Sequence, residues 1–567
     1  MSEKGKAMGR INSRTLFLTT SPRTPEKMIP EIDLLSREFT GQLWNYESQR
    51  SFMEMLREQD FFHGKGEKDP SFSARDRINR APKALGFVRL KPTISLTPAG
   101  EKLIGGKRTD EVFLRQLMKF QIPSPYHKLS DRAANFCIKP YLELLRLVYT
   151  LGTLKFDELQ IFGMQLTDWH DFDTIVDKIR QFRIAKTNNE RSYRRFKAEY
   201  LHYELRLIYQ HRISKGEVKT RESRITTTDN FLRTQSRNMR DYADACFRYL
   251  RATGLVNVSQ VGKSLSIVPE RGDEVAYILN TLERTPKTFD SEEEYCTYLG
   301  AATTPALLTD DKPLLARKIS EEFPTHGFSP DASIEELKEL LDDLRERRRE
   351  NTLNNEILDI KNYKLYDDIQ AVYSGIMEKK YFDNPIMLEW NTWRAMTMID
   401  GGKIKANLSF DDFGKPLSTA VGNMADIVCD YGDFLVTVEV TLSSGQKQFE
   451  MEGESVSRHL GNLKTKSGKP CYCLFIAPTI NDSCVSYFYS LHKINLKNYG
   501  GRSTIVPLPL NLFCKMVEDS YNAAYTPSPS HIRAFFETSN TLSREADDEY
   551  EWYNGISHRA LDWLSNT

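Results

Sequence analysis

The feature that most constrains this chain is a series of continuous apolar stretches in its last third. DFLVTVEVTL (433–442), CYCLFIAP (471–478) and STIVPLPL (503–510) are apolar on successive positions, not on alternate ones. A strand with that pattern buries both faces. Strands of this kind alternating with helices build an α/β sheet covered on each side. Helical spacing is expected over 382–399 (FDNPIMLEWNTWRAMTMI), 448–464, 485–496 and 511–525. DIVCDY (426–431) and the stretch from Asp433 form a hairpin turning at Gly432.

That hairpin carries two carboxylates. Asp426 opens the first strand and Glu439 lies near the end of the second, so a tight hairpin brings both ends together. Two carboxylates on rigid strands suit Mg²⁺, which takes oxygen ligands and keeps several waters. Such a pair can serve phosphodiester hydrolysis, or it can be an ordinary pair of half-exposed strand charges. Residue 441 points the same way as Glu439 by the period-2 rule. A lysine there would polarise an attacking water, but the residue is Thr441. On the following helix Glu452, Val456 and His459 share one face, and Glu389 on the preceding helix offers another carboxylate. Arg458 is a candidate phosphate clamp or a plain surface charge.

Upstream the chain changes character. At 567 residues it holds several domains, expected at 1–140, 141–282, 283–380 and 381–567. The formal charge is zero, yet residues 1–280 hold 48 Lys+Arg against 34 Asp+Glu. A basic front half points to a polyanionic partner. Two segments, 73–104 and 238–279, share one pattern. Each runs from Arg-Asp through a helix, a stopping glycine (Gly86, Gly254), two short strands and a proline to a further helix. This is the layout of a winged helix. A third, weaker unit is read at 141–180.

Arg191, Arg194 and Arg195, then Lys215, Lys219, Arg221, Arg224, Arg233, Arg237 and Arg240, are interleaved with Ser, Thr and Asn. That mixture suits phosphate and base-edge contact. Residues 283–380 read as a helical linker: SEEEYCTYL and a Pro-punctuated stretch lead into 333–377, whose helical spacing and dense opposite charges read as exposed helices bridging two domains. Eight scattered cysteines without a CxxC pair fit a reducing cytoplasm, and no apolar run is long enough to span a membrane. The start MSEKGKAMGRINSRT lacks the apolar core of a signal peptide.

One series of motifs reaches further than the carboxylate pair. TTSPRTPEKMIPEI (19–32), FSARDRI (72–78), DEVFLRQLMKFQIPSPYHK (110–128), LEWNTW (388–393), GNMADI (422–427), EVTLSSGQKQFEMEGESVSRH (439–459) and CLFIAP (473–478) stand in one order along nearly the whole chain. The series resembles the AlwI/MlyI/PleI-type family of type IIS restriction endonucleases and their strand-nicking relatives. The resemblance implies a multidomain architecture of winged-helix-like, mainly α recognition subdomains, a helical linker and a C-terminal α/β nuclease domain of the PD-(D/E)XK kind with a central mixed sheet. The family shares EVT in place of ExK, while Ala425 stands where the wider superfamily has proline.

The same resemblance implies a bacterial, cytoplasmic enzyme that binds a short asymmetric site on double-stranded DNA and cuts a few base pairs downstream with Mg²⁺. Asp426, Glu439, Glu452, His459 and Glu389 form the implied catalytic set, with Asp426, Glu439, the carbonyl of Val440 and Glu452 holding metal. Arg23, Lys27, Arg75, Arg77, Arg80, Lys83, Arg191, Arg194, Arg195, Arg237 and Arg240 are the candidates to meet the duplex. One such site cuts one strand, so a double-strand break needs a second copy, a small nuclease subunit or two successive nicks. A strand-specific nicking enzyme and a non-catalytic winged-helix regulator are the alternatives.

Overall fold

The computed structural model describes residues 15–59, 61–62, 69–127, 136–220, 222–399, 402–419, 424–523 and 527–565. Arg221, Lys128, Gly422 and Asn423, named above within motifs, lie outside these, as does nearly all of the N-terminal stretch read for a signal. The chain divides into two compact units, Met1–Glu339 and Leu340–Thr567, and the boundary falls inside one helix, Ile334–Lys361.

In the first unit, helices α1 (Pro70–Ile78) and α2 (Ala81–Ala84) precede strands β1 (Val88–Arg89) and β2 (Ser95–Leu96) and helix α3 (Pro98–Ile104). The first patterned segment therefore folds in the expected order, with strands of two residues each. Gly86 adopts φ +80°, and a Cβ there would sit 2.5 Å from the Leu299 side chain, so both the turn and the packing require glycine.

The second patterned segment is larger. Helix α4 (Pro140–Leu151), strand β3 (Thr153–Lys155) and helix α5 (Phe156–Ile161) come first, then α6 (Phe172–Thr187) and α7 (Tyr193–Ser214). The long α8 (Thr228–Arg251), strands β4 (Val256–Ser259) and β5 (Ser264–Ile267) and helix α9 (Gly272–Thr281) complete it. The three strands form one antiparallel sheet in the order β3-β5-β4, with Leu154 opposite Leu265. The stretch read as a separate third unit is thereby corrected. Its strand is the third strand of the second segment's sheet, held by Leu154 and Leu265, both fully buried.

A helix of the expected linker, Ile334–Lys361, does run across the boundary of the two units, but apolar residues of 283–380 are buried in both cores. Tyr295, Leu299, Leu315 and Ile319 are fully buried in the first unit. Ile360, Ile369 and Tyr373 join the core of the second. Dense charge on the outer helix faces masks this in the sequence.

The second unit begins with α10 (Ile334–Lys361, entering from the first) and α11 (Tyr366–Met377), then α12 (Asn384–Ile399). Its strands are β6 (Lys403–Ala406), β7 (Leu408–Phe410), β8 (Pro416–Thr419), β9 (Ile427–Asp430), β10 (Leu435–Val440), β11 (Cys471–Ala477) and β12 (Ile505–Pro509). Helices α13 (Gln446–Ser467) and α14 (Asp482–Lys493) flank β11, and α15 (Leu510–Asn522) follows β12. The central sheet is mixed, ordered β12-β11-β10-β9-β6. β10, β11 and β12 are parallel, while β9 and β6 run antiparallel to their neighbours. β11 is buried at every residue and β10 at all but its last. α12 packs on β6, β9 and β10, and α13 on β10 and β11.

The edge strand β6, KIKA, had no apolar run to announce it, and its lysines stay exposed, which guards the open edge. Two further helices, Pro529–Glu545 and Glu549–Leu561, add Phe535, Phe536, Trp552 and Ile556 to the core.

Candidate active site

β9 and β10 pair with Ile427 opposite Val438, and one further step along that register puts Asp426 opposite Glu439. The bonds agree. The Val440 N–H donates to Oδ2 of Asp426 at 2.8 Å, and Glu439 accepts from the Asp426 backbone N–H. The chain thus ties each carboxylate to the other's strand. Glu439 is buried, while Asp426 keeps part of its surface open.

Helix α13 closes the site. His459 Nδ1 lies 2.8 Å from Glu439 Oε1, and its Nε2 is buried with no partner among the described residues. With Glu439 ionised its oxygen only accepts, so Nδ1 carries the hydrogen and Nε2 presents a lone pair. Glu452, seven residues earlier and half-buried, accepts a hydrogen bond from the Thr441 hydroxyl. That hydroxyl in turn accepts the Ser443 N–H at 3.0 Å. In the place where a lysine was the expected chemistry, Thr441 fixes Glu452.

Position 441 stands out by its spacing from Glu439, whereas no motif points to Gln448. Gln448 is fully buried and donates to the Ser443 and Thr479 carbonyls at 2.9 Å each, while its Oε1 accepts the Asn481 N–H at 2.8 Å. It locks the start of α13 to the loops that leave β10 and β11.

Electrostatics mark the cluster. Burial first, then the charge of Glu439, pushes Asp426 well above the ordinary carboxylate range. Burial and the nearby Glu452 do the same to Glu439, and burial raises Glu452. Burial lowers His459, with the Arg458 charge acting in the same direction. Three carboxyl groups therefore share a site in which, among the described residues, no lysine or arginine is bonded to them and the imidazole in contact is held towards its neutral form.

Among the described residues, no group of three or more His, Cys, Asp and Glu is gathered at metal-binding spacing. The donor set nonetheless suits a hard divalent cation. It consists of oxygens only, with an anionic excess, and Mg²⁺ needs one or two protein carboxylates beside its waters.

The other predicted residues sort differently. Glu389 is buried on α12. Arg458 is held by Glu454 at 3.1 Å. Of the duplex candidates, Arg77 pairs with Glu31, Arg80 with Asp76 at 2.5 Å, and Arg23 with Asp244 at 3.1 Å. Lys83 lies over the Tyr126 ring and 3.9 Å from Glu292. Arg191 and Arg195 share Glu199 at 3.2 and 2.9 Å. Arg75 turns back to the Ser71 carbonyl. Lys27, Arg194 and Arg237 are exposed without an ion pair among the described residues, and Arg240 has only Asp241 at 3.7 Å. No helix among the described residues is long and apolar enough to cross a membrane.

Comparison with known proteins adds one extended match. The family model described as AlwI restriction endonuclease matches residues 83–516. No curated protein matches significantly. Among solved structures, the small subunit of the heterodimeric restriction endonuclease R.BspD6I is 25% identical over 37% of this chain and 96% of its own, with a TM-score of 0.27. The BpuJ1 endonuclease binding domain, solved with pyrene- and phenanthrene-modified DNA, is 14% identical over 45% and 84%, with a TM-score of 0.29. At those scores neither likeness carries a structural argument.

Proposed function

Because this chain belongs to the AlwI restriction endonuclease family and is a site-specific deoxyribonuclease acting on DNA, we propose that it is a type IIS enzyme with a PD-(D/E)XK nuclease domain in its second unit. The winged-helix-like segments of the first unit read a short asymmetric duplex site. The second unit cuts a few base pairs downstream, leaving a 5′-phosphate and a 3′-hydroxyl. The observation that carries the reading is the register that sets Asp426 against Glu439 at the end of β10, with His459 bonded to Glu439.

Asp426, Glu439, the Val440 carbonyl and Glu452 would hold Mg²⁺. When bound it supplies Lewis-acid stabilisation at the phosphate and a water of lowered pKa. The residues do the rest. The Val440 N–H fixes one oxygen of Asp426, while His459 and the Asp426 N–H orient the Glu439 carboxyl. Thr441 aims Glu452, and His459 keeps Nε2 as the acceptor for a proton at the reacting face. The task of the absent lysine is divided between Glu452, which orients water, and His459, which takes or returns the proton. One such cluster stands among the described residues, so each engagement cuts one strand.

Mapping the ends produced on random-sequence duplexes, strand by strand and with Mg²⁺ or EDTA, tests this reading. It expects Mg²⁺-dependent ends at a fixed distance to one side of a shared motif. Ends scattered without a motif, or lying inside it, would refute the type IIS assignment. Nicked circles that never linearise at excess enzyme would replace double-strand cleavage by nicking.

A further inference from the structure

Several arginines of the first unit are taken up by carboxylates. Arg77, Arg115, Arg183 and Arg284 are each held by a carboxylate, with Glu31, Asp310, Glu158 and Glu143 as partners. One surface is different. On α8, Arg233, Arg237 and Arg240 stand at i, i+4 and i+7 and are exposed, so they line one helix face over roughly 10 Å. Arg233 and Arg237 make no ion pair among the described residues, and Arg240 has only the distant Asp241. Three carboxylates stand on or beside that face: Asp229, Asp244, which is taken up by Arg23 and Arg248, and Asp241, one turn beyond Arg237.

The helix is built to present this face. Its C-terminal half, from Ala243 to Arg251, is embedded in the core beside β4, while its N-terminal half buries only Phe231, Leu232, Thr234 and Met239. Thr227 caps it, accepting the Asn230 N–H at 3.3 Å. The segment leading into it lies alongside. Asn230 donates to the Ile225 carbonyl at 2.9 Å and Asn238 reaches Glu222 at 3.5 Å, which ties residues 222–225 to the helix. Lys219 and Arg224 on that segment are exposed and also lack an ion pair. From 215 to 240 the sequence holds seven Lys+Arg against three carboxylates.

We propose that the outer face of α8 is the element that reads the duplex, with Arg233 and Arg237 on guanine edges in the major groove and Lys219 and Arg224 on the flanking phosphates. The proposal rests on reading the first unit as the recognition region, and names the face that does the reading. A single α-helix fits the major groove, and the planar guanidinium meets guanine O6 and N7 in bidentate fashion. An arginine already forked onto a carboxylate cannot do so without losing that bond. This is why the paired arginines elsewhere in the unit are passed over.

Selection of bound duplexes from a random-sequence pool, with the full chain in EDTA, tests the assignment without relying on cleavage. The wild type should enrich one motif. Arg233→Ala and Arg237→Ala should each lower the preference for motif over random duplex roughly tenfold or more, the discrimination of one bidentate guanine contact, and should erase a G·C position. Arg233→Lys and Arg237→Lys should lose it as well, because the charge survives but the fork does not. Lys219→Ala with Arg224→Ala should weaken motif and random duplex alike and reduce the salt slope by about two.

Two results overturn the proposal: a double alanine variant that enriches the wild-type motif at wild-type strength, or lysine variants that restore the preference in full. A wild type that enriches no motif would remove the recognition reading itself. A nuclease-site failure would leave this selection untouched.

Discussion

The cluster around Asp426 and the outer face of α8 are opposites in sign and setting, yet they share one property. Both carry charge that the chain itself does not neutralise. In the second unit, burial holds Asp426 and Glu439 above the ordinary carboxylate range, with the charge of Glu439 adding to it for Asp426 and that of Glu452 for Glu439. On α8, Arg233 and Arg237 project into solvent, where an unpaired charge costs little. Elsewhere charges are matched. Arg284 forks onto the fully buried Glu143 at 2.9 and 2.6 Å, and Lys318 meets Asp273 and Glu274 at 2.8 and 3.1 Å. Matched charge organises the fold, and unmatched charge marks where something else must bind. The difference in setting separates the two roles: a buried excess of oxygens suits a small cation, while an exposed row of arginines suits a long polyanion.

That contrast can be broken at a matched site. Glu143→Gln leaves Arg284 over the Trp169 and Phe172 rings without its carboxylate, and should destabilise the first unit by about 3 to 4 kcal/mol in denaturant unfolding. A loss below about 1 kcal/mol would show that the pair is not structural.

Burial without unmatched charge gives a second check. His492 is buried and satisfied at both ring nitrogens, by Asn540 Oδ1 at 3.1 Å and by Ile505, and burial lowers it from 6.5 to about 4. Its folded value lies below its unfolded one. The stability it contributes is therefore present above about pH 6.5 and lost as pH falls towards 4, by ~3 kcal/mol. His492→Gln should flatten that part of the stability profile, and an unchanged acid limb would count against the assignment.

Thr441 sharpens the comparison inside the site. Thr441→Val removes the hydroxyl that aims Glu452, and should slow single-turnover cleavage roughly tenfold, as expected for a hydrogen bond to a charged group. Thr441→Ser should restore most of the rate. A valine variant that cuts at the wild-type rate would leave Glu452 without its positioning partner. The smallest effect expected is one of stability: Glu439→Gln in EDTA relieves like-charge repulsion and should raise the unfolding free energy by about 1 kcal/mol. A fall in stability would mean that the carboxylate is matched after all.

The sequence exposed what is local. Apolar runs located β10, β11 and β12 because β11 is buried throughout and the other two at all but their last residue, and heptad spacing put Glu452 and His459 on one face of α13. What depends on distant pairing was hidden. β3 is three residues long and finds its partner β5 more than a hundred residues later, so it passed for a separate unit. β6 carries lysines on an edge and has no apolar signature. The Thr441 hydroxyl reads as a gap in a motif until Glu452 is seen to accept from it. The ion pairs of Arg23 with Asp244 and of Arg77 with Glu31 likewise exist only in three dimensions.

The central claim is that the unmatched carboxylates cut while the unmatched arginines read. The most direct measurement is single-turnover cleavage with Mg²⁺ by Asp426→Asn and Glu439→Gln, paired with binding of the same duplex in EDTA. Each variant should lose at least about a thousandfold in rate, the ~4 kcal/mol expected when transition-state stabilisation is removed, while the preference for the selected motif stays at the wild-type level. A variant that still cuts within tenfold of the wild type, or that loses its motif preference along with its cleavage, would contradict the account.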